Sequence, residues 1–187
     1  MATRQQIRDR IREFIRETDT NNTNFSNDVL NAFIDEGLRF ISVLSKRPRD
    51  RFEYQAELNI PAYILPSDTI EVMEAYFGDD SISNDIRPLK IMSESQLKEY
   101  RPHWLDDHAN SQGRPDILVR IDDKRFIVNP RPNASESAVG KMIEIVYYYY
   151  PSPLGGDGEE PDIPLPYHDM VSEYGQYKCY MGNLNKP

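Results

Sequence analysis

Apolar residues recur with helical spacing in the first 48 residues of the chain. Thr3, with Gln6 three positions later, matches the capping-box pattern that begins a helix. An amphipathic helix needs apolar side chains at intervals of three and four residues, and two such stripes follow. They are Ile7, Ile11, Phe14 and Ile15, and then Leu30, Phe33, Ile34, Leu38, Ile41 and Leu44. The pattern predicts two helices that pack on each other, the second beginning near Ser26 and ending before Pro48.

Beyond residue 50 the apolar period changes from helical to alternating, which is typical of β-strands. Residues 52–58 alternate apolar with polar and predict a half-buried strand, and residues 69–77 predict a second one. Residues 117–121 and 125–129 flank a polar turn and predict a hairpin. The segment 141–150 is apolar on both faces, which indicates an interior strand covered on both sides.

Prolines, glycines and acids dominate residues 151–166, which contain five Pro, three Gly and four carboxylates. Such a composition predicts an exposed connector. A last helix is predicted after it, because residues at spacings of three and four are again large and apolar or aromatic. They are Tyr167, Met170, Tyr174, Tyr177 and Met181.

The order of these elements, two helices, a sheet and a final helix, predicts an α+β fold. We expect residues 1–48 and 165–187 to form a helical bundle. Residues 49–150 would be an inserted antiparallel β-rich subdomain with one short helix, which Ser93 and Gln96 cap. Residues 151–164 would be the acidic connector.

The formal charge narrows the range of functions. The 187 residues contain 22 Lys and Arg against 31 Asp and Glu, a net charge of −9, and the excess of acid lies entirely after residue 60. Because nucleic-acid binding depends on cations that neutralise phosphates, the chain is a poor candidate for gripping DNA or RNA. No apolar run approaches a membrane span, and the single cysteine excludes an internal disulfide framework, so we expect a reducing, cytoplasm-like setting without membrane contact.

One short segment carries residue types that could bind a metal. His103, Asp106, Asp107 and His108 lie within six residues and would suit a small metal-dependent hydrolase. The two histidines are five positions apart, however, which does not align them on one helical face. No phosphate-binding glycine loop, nucleophile elbow or paired-carboxylate motif is present in the sequence, so we expect no enzyme, no metal and no cofactor.

Two groups of residues suggest contacts with other proteins instead. The arginines of the first helix, including Arg4, Arg8 and Arg12, alternate with acids, which favours a solvated face or a salt-bridge surface over nucleic-acid binding. Eight of the twelve tyrosines lie at or after Tyr147. Tyrosine is enriched in interfaces, and for the final helix we weigh an interface equally with ordinary packing.

Several short motifs occur in the order found in one family. They are residues 26–37 (SNDVLNAFIDEG), 63–68 (YILPSD), 113–116 (GRPD), 127–132 (IVNPRP), 145–151 (IVYYYYP) and 163–166 (IPLP). Together they resemble the head–tail adaptors of tailed bacteriophages, of the neck-ring or tail-tubular type, over roughly residues 3–181. The chain stops six residues after Met181, whereas adaptors of this type often continue into a longer C-terminal segment.

The resemblance implies a virion protein of the phage neck that assembles in the host cytoplasm. About twelve identical copies would form a ring beneath the portal protein, bind the next tail or neck protein, and let DNA pass without sequence-specific binding. A tail-completion or stopper ring further from the portal is the alternative within this class. The residues carried over as portal or ring contacts are Tyr174, Tyr177, Lys178, Tyr180, Lys186, Arg4, Arg8 and Arg12. The acids expected to line the channel are Asp157, Glu159, Glu160 and Asp162.

Overall fold

A computed structural model describes residues 2–16, 24–58, 60, 62–79, 85–104, 112–136 and 140–184. The helices are α1 (Arg4–Phe14), α2 (Asn27–Ser45), α3 (Glu94–Tyr100), a 3-10 helix (Leu165–Tyr167) and α4 (His168–Leu184). The strands are β1 (Arg49–Gln55), β2 (Tyr63–Ile64), β3 (Thr69–Gly78), β4 (Arg87–Pro88), β5 (Lys90–Ser93), β6 (Gln112–Gly113), β7 (Ile117–Arg120), β8 (Arg125–Asn129), β9 (Arg131–Pro132) and β10 (Met142–Tyr149). The predicted α+β class is confirmed. Within the described ranges, no helix is long and apolar enough to cross a membrane.

The chain divides into two compact units. The helical unit comprises Met1–Pro48 and Tyr149–Pro187, and the β unit comprises Arg49–Tyr148. The helical unit is therefore assembled from both ends of the chain.

The helices begin where side chains satisfy their first backbone amides. The Thr3 hydroxyl accepts the Gln6 N–H and the Gln6 side chain accepts the Thr3 N–H, which confirms the predicted capping box. Ser26 caps α2 by accepting the Val29 N–H. Apolar residues of α1, α2 and α4 then share one buried cluster with two residues of the connector, and its fully buried members include Ile7, Ile11, Leu30, Ile34, Val171 and Cys179.

The connector is less exposed than its composition predicted. Leu154 and Ile163 are only 6 % and 7 % exposed and belong to the helical core. The prediction of a wholly exposed connector is wrong at these positions, because single apolar side chains within a polar segment gain free energy by burial. The acids of the same segment stay at the surface.

The described residues of the β unit form two four-stranded sheets and one small two-stranded sheet. The first sheet has the strand order β1-β10-β3-β4 and the second has β2-β8-β7-β5, while β6 pairs with β9. The prediction of an antiparallel subdomain is wrong for β5 with β7 and for β6 with β9, which pair parallel, because a long connection rather than a tight turn joins each of these pairs. The predicted hairpin is confirmed as β7 and β8, which pair antiparallel with Ile117 opposite Asn129. Helix α3 packs on the second sheet through Leu97, which shares a buried cluster with Met92, Trp104, Ile117, Val119 and Ile127.

The burial predicted for β10 and the burial predicted for β1, two strands of the first sheet, have different outcomes. β10 is an interior strand as expected, with Ile143, Ile145 and Tyr147 buried, but the side chains that alternate with them are mostly half-buried. β1 forms as predicted but is almost wholly exposed rather than half-buried, and Phe52 keeps 44 % of its surface accessible. Alternation predicts a strand, whereas its burial depends on what covers the sheet, and β1 lies at the edge.

One carboxylate connects three parts of the β unit. Asp85 accepts hydrogen bonds from the Lys141 ammonium before β10, from the Arg114 guanidinium before β7 and from the Asp79 N–H after β3. The ion pair with Arg114 is 2.8 Å long. The Lys141 hydrogen bond, followed by the one from Arg114, holds the pKa of Asp85 well below its ordinary value.

Glycine at position 175 should be required by packing. A Cβ added to Gly175 would collide with Ile11 Cδ1, which is fully buried, so we expect Gly175→Ala to lower the free energy of unfolding by about 1–3 kcal/mol. The matched control is Gly182→Ala in the same helix, whose Cβ would lie 3.4 Å from the nearest Phe25 carbon, an ordinary contact. Urea denaturation should show no decrease in the free energy of unfolding for the Gly182→Ala control. Equal effects of the two substitutions would contradict the packing argument.

Asp85 should make the β unit sensitive to acid. A carboxylate whose pKa is lower in the folded than in the unfolded state contributes stability above the unfolded pKa, near 4, and this contribution is lost as the pH falls through the folded value. We expect Asp85→Asn to lower Tm at pH 7 and to make Tm fall less steeply between pH 5 and pH 3. Asp123→Asn, at a fully exposed side chain, is the control. Parallel Tm profiles of wild type and Asp85→Asn would refute this role.

Candidate interaction surface on the helical unit

Tyr174 projects from α4 onto α2. Its ring centroid lies 5.3 Å from that of Phe40, and a Cβ placed on Gly37 would meet its Cδ1 at 3.0 Å. The absence of a side chain at position 37 therefore lets the tyrosine ring lie close against the α2 backbone. The Tyr174 hydroxyl donates a hydrogen bond of 2.9 Å to Glu36 Oε1, which orients the ring along α2.

Glu36 binds two donors from α4. The Lys178 ammonium donates to the same Oε1 atom at 2.9 Å. Hydrogen bonding to Lys178, and then to Tyr174, lowers the pKa of Glu36, while the hydrogen bond to Glu36 raises the pKa of Lys178. Burial, and then the bond to Glu36, raises the pKa of Tyr174. Glu36 is therefore ionised and Lys178 protonated near neutral pH, and the pair joins α2 to α4.

The remaining aromatic groups extend this arrangement into solvent. Tyr177 is 57 % exposed, and its ring lies 6.5 Å from that of Tyr174. The Lys178 Nζ lies 5.8 Å from the centroid of the Phe33 ring. We name the α2–α4 face as the set of residues that these contacts connect: Phe33, Glu36, Phe40, Tyr174, Tyr177 and Lys178. Further exposed apolar side chains on the same two helices are Val43, Leu44, Met170, Tyr180 and Met181.

This surface has the chemistry of a protein-binding site. Packing and hydrogen bonding against α2 hold the Tyr174 ring in place, so little of its side-chain freedom remains to be lost on binding. Tyrosine hydroxyls and one ion pair supply polar groups among the apolar area, as is common in interfaces. The face thus unites three of the predicted contact residues, Tyr174, Tyr177 and Lys178. Tyr180 is 59 % exposed on the same helix.

The arginines of α1 bind within their own chain. Arg8 forms two parallel hydrogen bonds of 2.8 Å to the Asp157 carboxylate, and Arg12 donates to the Phe25 carbonyl at 3.1 Å and to Asn27 at 2.8 Å. Arg8 and Arg12 are only 6 % and 5 % exposed. The interpretation as a solvated face is wrong for these two, because their guanidinium groups find carbonyl and carboxylate acceptors beside the helix. Whether they also contact a neighbouring copy stays a prediction.

The connector caps the N-terminal end of α1. The Glu159 carbonyl accepts the Arg4 N–H at 2.8 Å, and the Asp157 carbonyl accepts the Gln5 N–H at 3.0 Å. These amides belong to the first turn of the helix, where no intrahelical acceptor exists. Arg4 also donates through its side chain to the Leu154 carbonyl. The hydrogen bonds between the Arg8 guanidinium and the Asp157 carboxylate raise the pKa of Arg8 and lower the pKa of Asp157.

The acids expected to line a channel occupy different local settings. The Asp157 carboxylate pairs with Arg8, and the Glu159 carboxylate accepts the Gly155 N–H at 2.6 Å. The Asp162 carboxylate accepts the Tyr149 hydroxyl at 2.6 Å. Glu160 is exposed, and all four remain at the surface of the helical unit.

The alternative metal site falls mostly outside the described residues. His103 is exposed, while Asp106, Asp107 and His108 lie in the segment 105–111, which the structure does not describe. The described part of the chain contains no group of three or more His, Cys, Asp or Glu side chains placed to hold a metal ion. Lys186 also lies outside the described residues, and Cys179 is fully buried.

Sequence reasoning did not single out Glu36 and Phe40. Both lie on α2 beside the predicted core stripe, and neither residue type is unusual at a helix surface. The available signal was the width of the apolar pattern on α2, since Phe40 and Val43 widen it beyond the arc that a core-facing stripe requires. The partners of Glu36 could not be read from the sequence, because they are 138 and 142 positions away.

Removing the Arg8 side chain should loosen the helical unit. Arg8→Ala deletes two hydrogen bonds to Asp157 and one to Asn31, and it empties a buried position, so we expect Tm to fall by about 3 °C or more. Arg39→Ala, at an exposed position on α2, is the matched control and should change Tm little. Thermal unfolding followed by circular dichroism measures both. A similar small effect of the two substitutions would show that the Arg8 contacts contribute little.

Comparison with known proteins gives one family match. The family model described as SU10 adaptor protein matches residues 2–185, which is nearly the whole chain and includes both units. No curated protein matches the sequence.

Proposed function

We propose, from the premise that the chain belongs to the SU10 adaptor protein family, that it forms a ring beneath the portal of a tailed phage. Membership makes it a structural adaptor of the virion neck, and the resemblance to phage head–tail adaptors is thereby confirmed. The family is not a known class of enzyme. Beyond family membership, we propose that the chain forms a ring, that this ring contacts the portal, and that it lies above the tail protein.

The observation that carries this proposal is the exposed aromatic surface of the helical unit. An adaptor acts by presenting surfaces that fit other proteins, and the α2–α4 face presents exposed aromatic rings beside the Glu36–Lys178 ion pair. A cyclic ring needs two different, complementary surfaces on each subunit. We assign the portal contact to Tyr174, Tyr177, Lys178 and Tyr180 of α4, together with Lys186 beyond the described residues.

The ring contact is proposed for α1 and the connector. Arg4, Arg8 and Arg12 hold the connector and the start of α2 in place, so they would shape this surface more than meet a neighbour directly. About twelve copies, each with a net charge of −9, would sum to a charge on the order of −100. Such a field keeps phosphates from adhering to a channel wall.

The exposed acids of the connector would contribute to this lining. Glu159, Glu160 and Asp162 are exposed without a cation recorded beside them in the described part of the chain, whereas Arg8 compensates Asp157. We therefore propose Asp157, Glu159, Glu160 and Asp162 as channel-facing acids, with Asp157 the weakest contributor to the repulsive field because Arg8 compensates its charge. DNA would pass without sequence-specific binding.

The α4 tyrosines should decide portal binding. We expect the double variant Tyr177→Ser and Tyr180→Ser to bind purified portal at least about tenfold more weakly, because exposed aromatic anchors supply most of the free energy of such contacts. Tyr100→Ser is the matched control, since Tyr100 on α3 has the same 59 % exposure as Tyr180. Biolayer interferometry with immobilised portal measures the dissociation constants.

Two outcomes separate the alternatives. If wild-type protein binds the tail protein and not the portal, and the double variant loses that binding, the chain is a tail-completion or stopper ring and the portal assignment is wrong. If the double variant and Tyr100→Ser bind the portal equally well, the α4 surface is not the contact. Negative-stain images of the bound complex would show the copy number and whether a closed ring forms.

A further inference from the structure

Among the residues that the structure describes, no strand pairs with the outer edge of β1. β1 is the terminal strand of the first sheet, and β10 is the neighbour recorded for it in the described part of the chain. Every residue from Arg49 to Glu53 is exposed, including Phe52. An edge strand whose first five residues are exposed is a template for pairing with another strand, unless the chain protects it.

The pairing with β10 determines which backbone groups point outward. The Ala56 N–H donates to the Lys141 carbonyl at 3.0 Å. In an antiparallel pair every second residue bonds to the neighbouring strand, so the even-numbered residues of β1 bond to β10. The N–H and C=O groups of Arg49, Arg51 and Glu53 therefore face away from the sheet. Consistent with this direction, the Arg51 N–H bonds to the Asp50 carboxylate at 2.8 Å.

The side chains on the edge carry an unbalanced charge. Glu53 lies directly opposite Glu144 of β10, and like charges in this position repel. Arg51 compensates Glu144 with an ion pair of 3.0 Å, and the Glu144 side chain is only 19 % exposed. Within the described ranges no cation is recorded against Glu53. The edge thus has one carboxylate that a second cation would stabilise.

We propose that two copies of the chain pair antiparallel through β1, with Phe52 of one copy facing Phe52 of the other. This register brings outward-facing groups opposite each other and sets Arg51 of each copy opposite Glu53 of the other. Shifting it by two residues sets Arg51 against Arg51 or Glu53 against Glu53. Shifting it by one residue sets outward-facing groups against groups already bonded to β10. Charge and hydrogen bonding therefore select the same alignment.

The pairing would satisfy the groups that the free edge leaves open. Glu53 gains a cation, and the Arg51 amide exchanges its bond to Asp50 for one to the second copy. Phe52, whose ring lies 4.8 Å from that of Tyr54, gains a facing aromatic ring on the opposite side of the sheet from the charges. The result is a two-fold contact, which cannot close a ring of many subunits. It is therefore a separate contact from the one proposed for the adaptor ring.

Charge exchange within β1 tests the pairing in the full-length chain. Sedimentation equilibrium over a concentration series should show a dimer for wild-type protein. Arg51→Glu alone and Glu53→Arg alone each replace two attractive pairs by two repulsive ones, so the dissociation constant should rise about tenfold or more. The double variant, Arg51→Glu with Glu53→Arg, restores opposite charges in the same register and should restore the dimer. Lys98→Glu on α3 makes the same change of charge as Arg51→Glu and should leave the dimer unchanged.

Three results would overturn the proposal. They are a wild-type chain that stays monomeric over the concentration series, single variants that associate as well as wild type, and a double variant as weak as the singles. Larger rings that persist unchanged in every β1 variant would likewise refute the β1 contact, while leaving the proposed adaptor ring intact. Circular dichroism of each variant verifies that the fold is retained.

Discussion

The helical unit depends on the docking of the connector at the start of α1. Its first helices and its last helix come from opposite ends of the chain, and residues 151–164 complete the unit between them. The backbone amides at the start of α1 need acceptors, and an unsatisfied buried amide costs about 1–3 kcal/mol. The Asp157 and Glu159 carbonyls supply those acceptors, while the Asp157 carboxylate binds Arg8. The same few residues thus satisfy the helix and hold the chain ends together.

Once this core is closed, the outward faces of α2 and α4 remain available for another protein. Gly37 allows Tyr174 to lie against α2, and Glu36 fixes both Tyr174 and Lys178 by hydrogen bonds. The exposed rings therefore project from a packed helix pair, which limits the entropy that binding must overcome. A protein that acts by shape and contact, as a neck adaptor does, needs such a prearranged surface.

Charge has a different role in the β unit. Asp85 is matched by two cations and a backbone amide, and it links segments far apart in the sequence. Glu53 at the open edge of β1 has an acid as its cross-strand neighbour instead. The contacts of Asp85 stabilise the β unit. Glu53 has no cation recorded beside it in the described part of the chain, and in the proposed pairing Arg51 of a second copy would lie opposite it.

The α+β class, the helix caps at Thr3, Ser26 and Ser93, and five of the ten described strands were predictable, because they depend on local periodicity and on hydrogen bonds between residues three positions apart. The tyrosines of α4 were also identifiable as unusual by their number. Burial of Arg8 and Arg12, exposure of β1 and the anchoring of Tyr174 by Glu36 were not predictable. Each depends on which distant segment lies beside a side chain. The Asp157 partner of Arg8 and the partners of Glu36 lie more than a hundred residues away, and those of Arg12 lie 13 and 15 positions away at the start of the next helix. For β1, no strand is recorded on its outer side in the described part of the chain. Local periodicity contains none of this information, because only the tertiary structure determines which segments become neighbours.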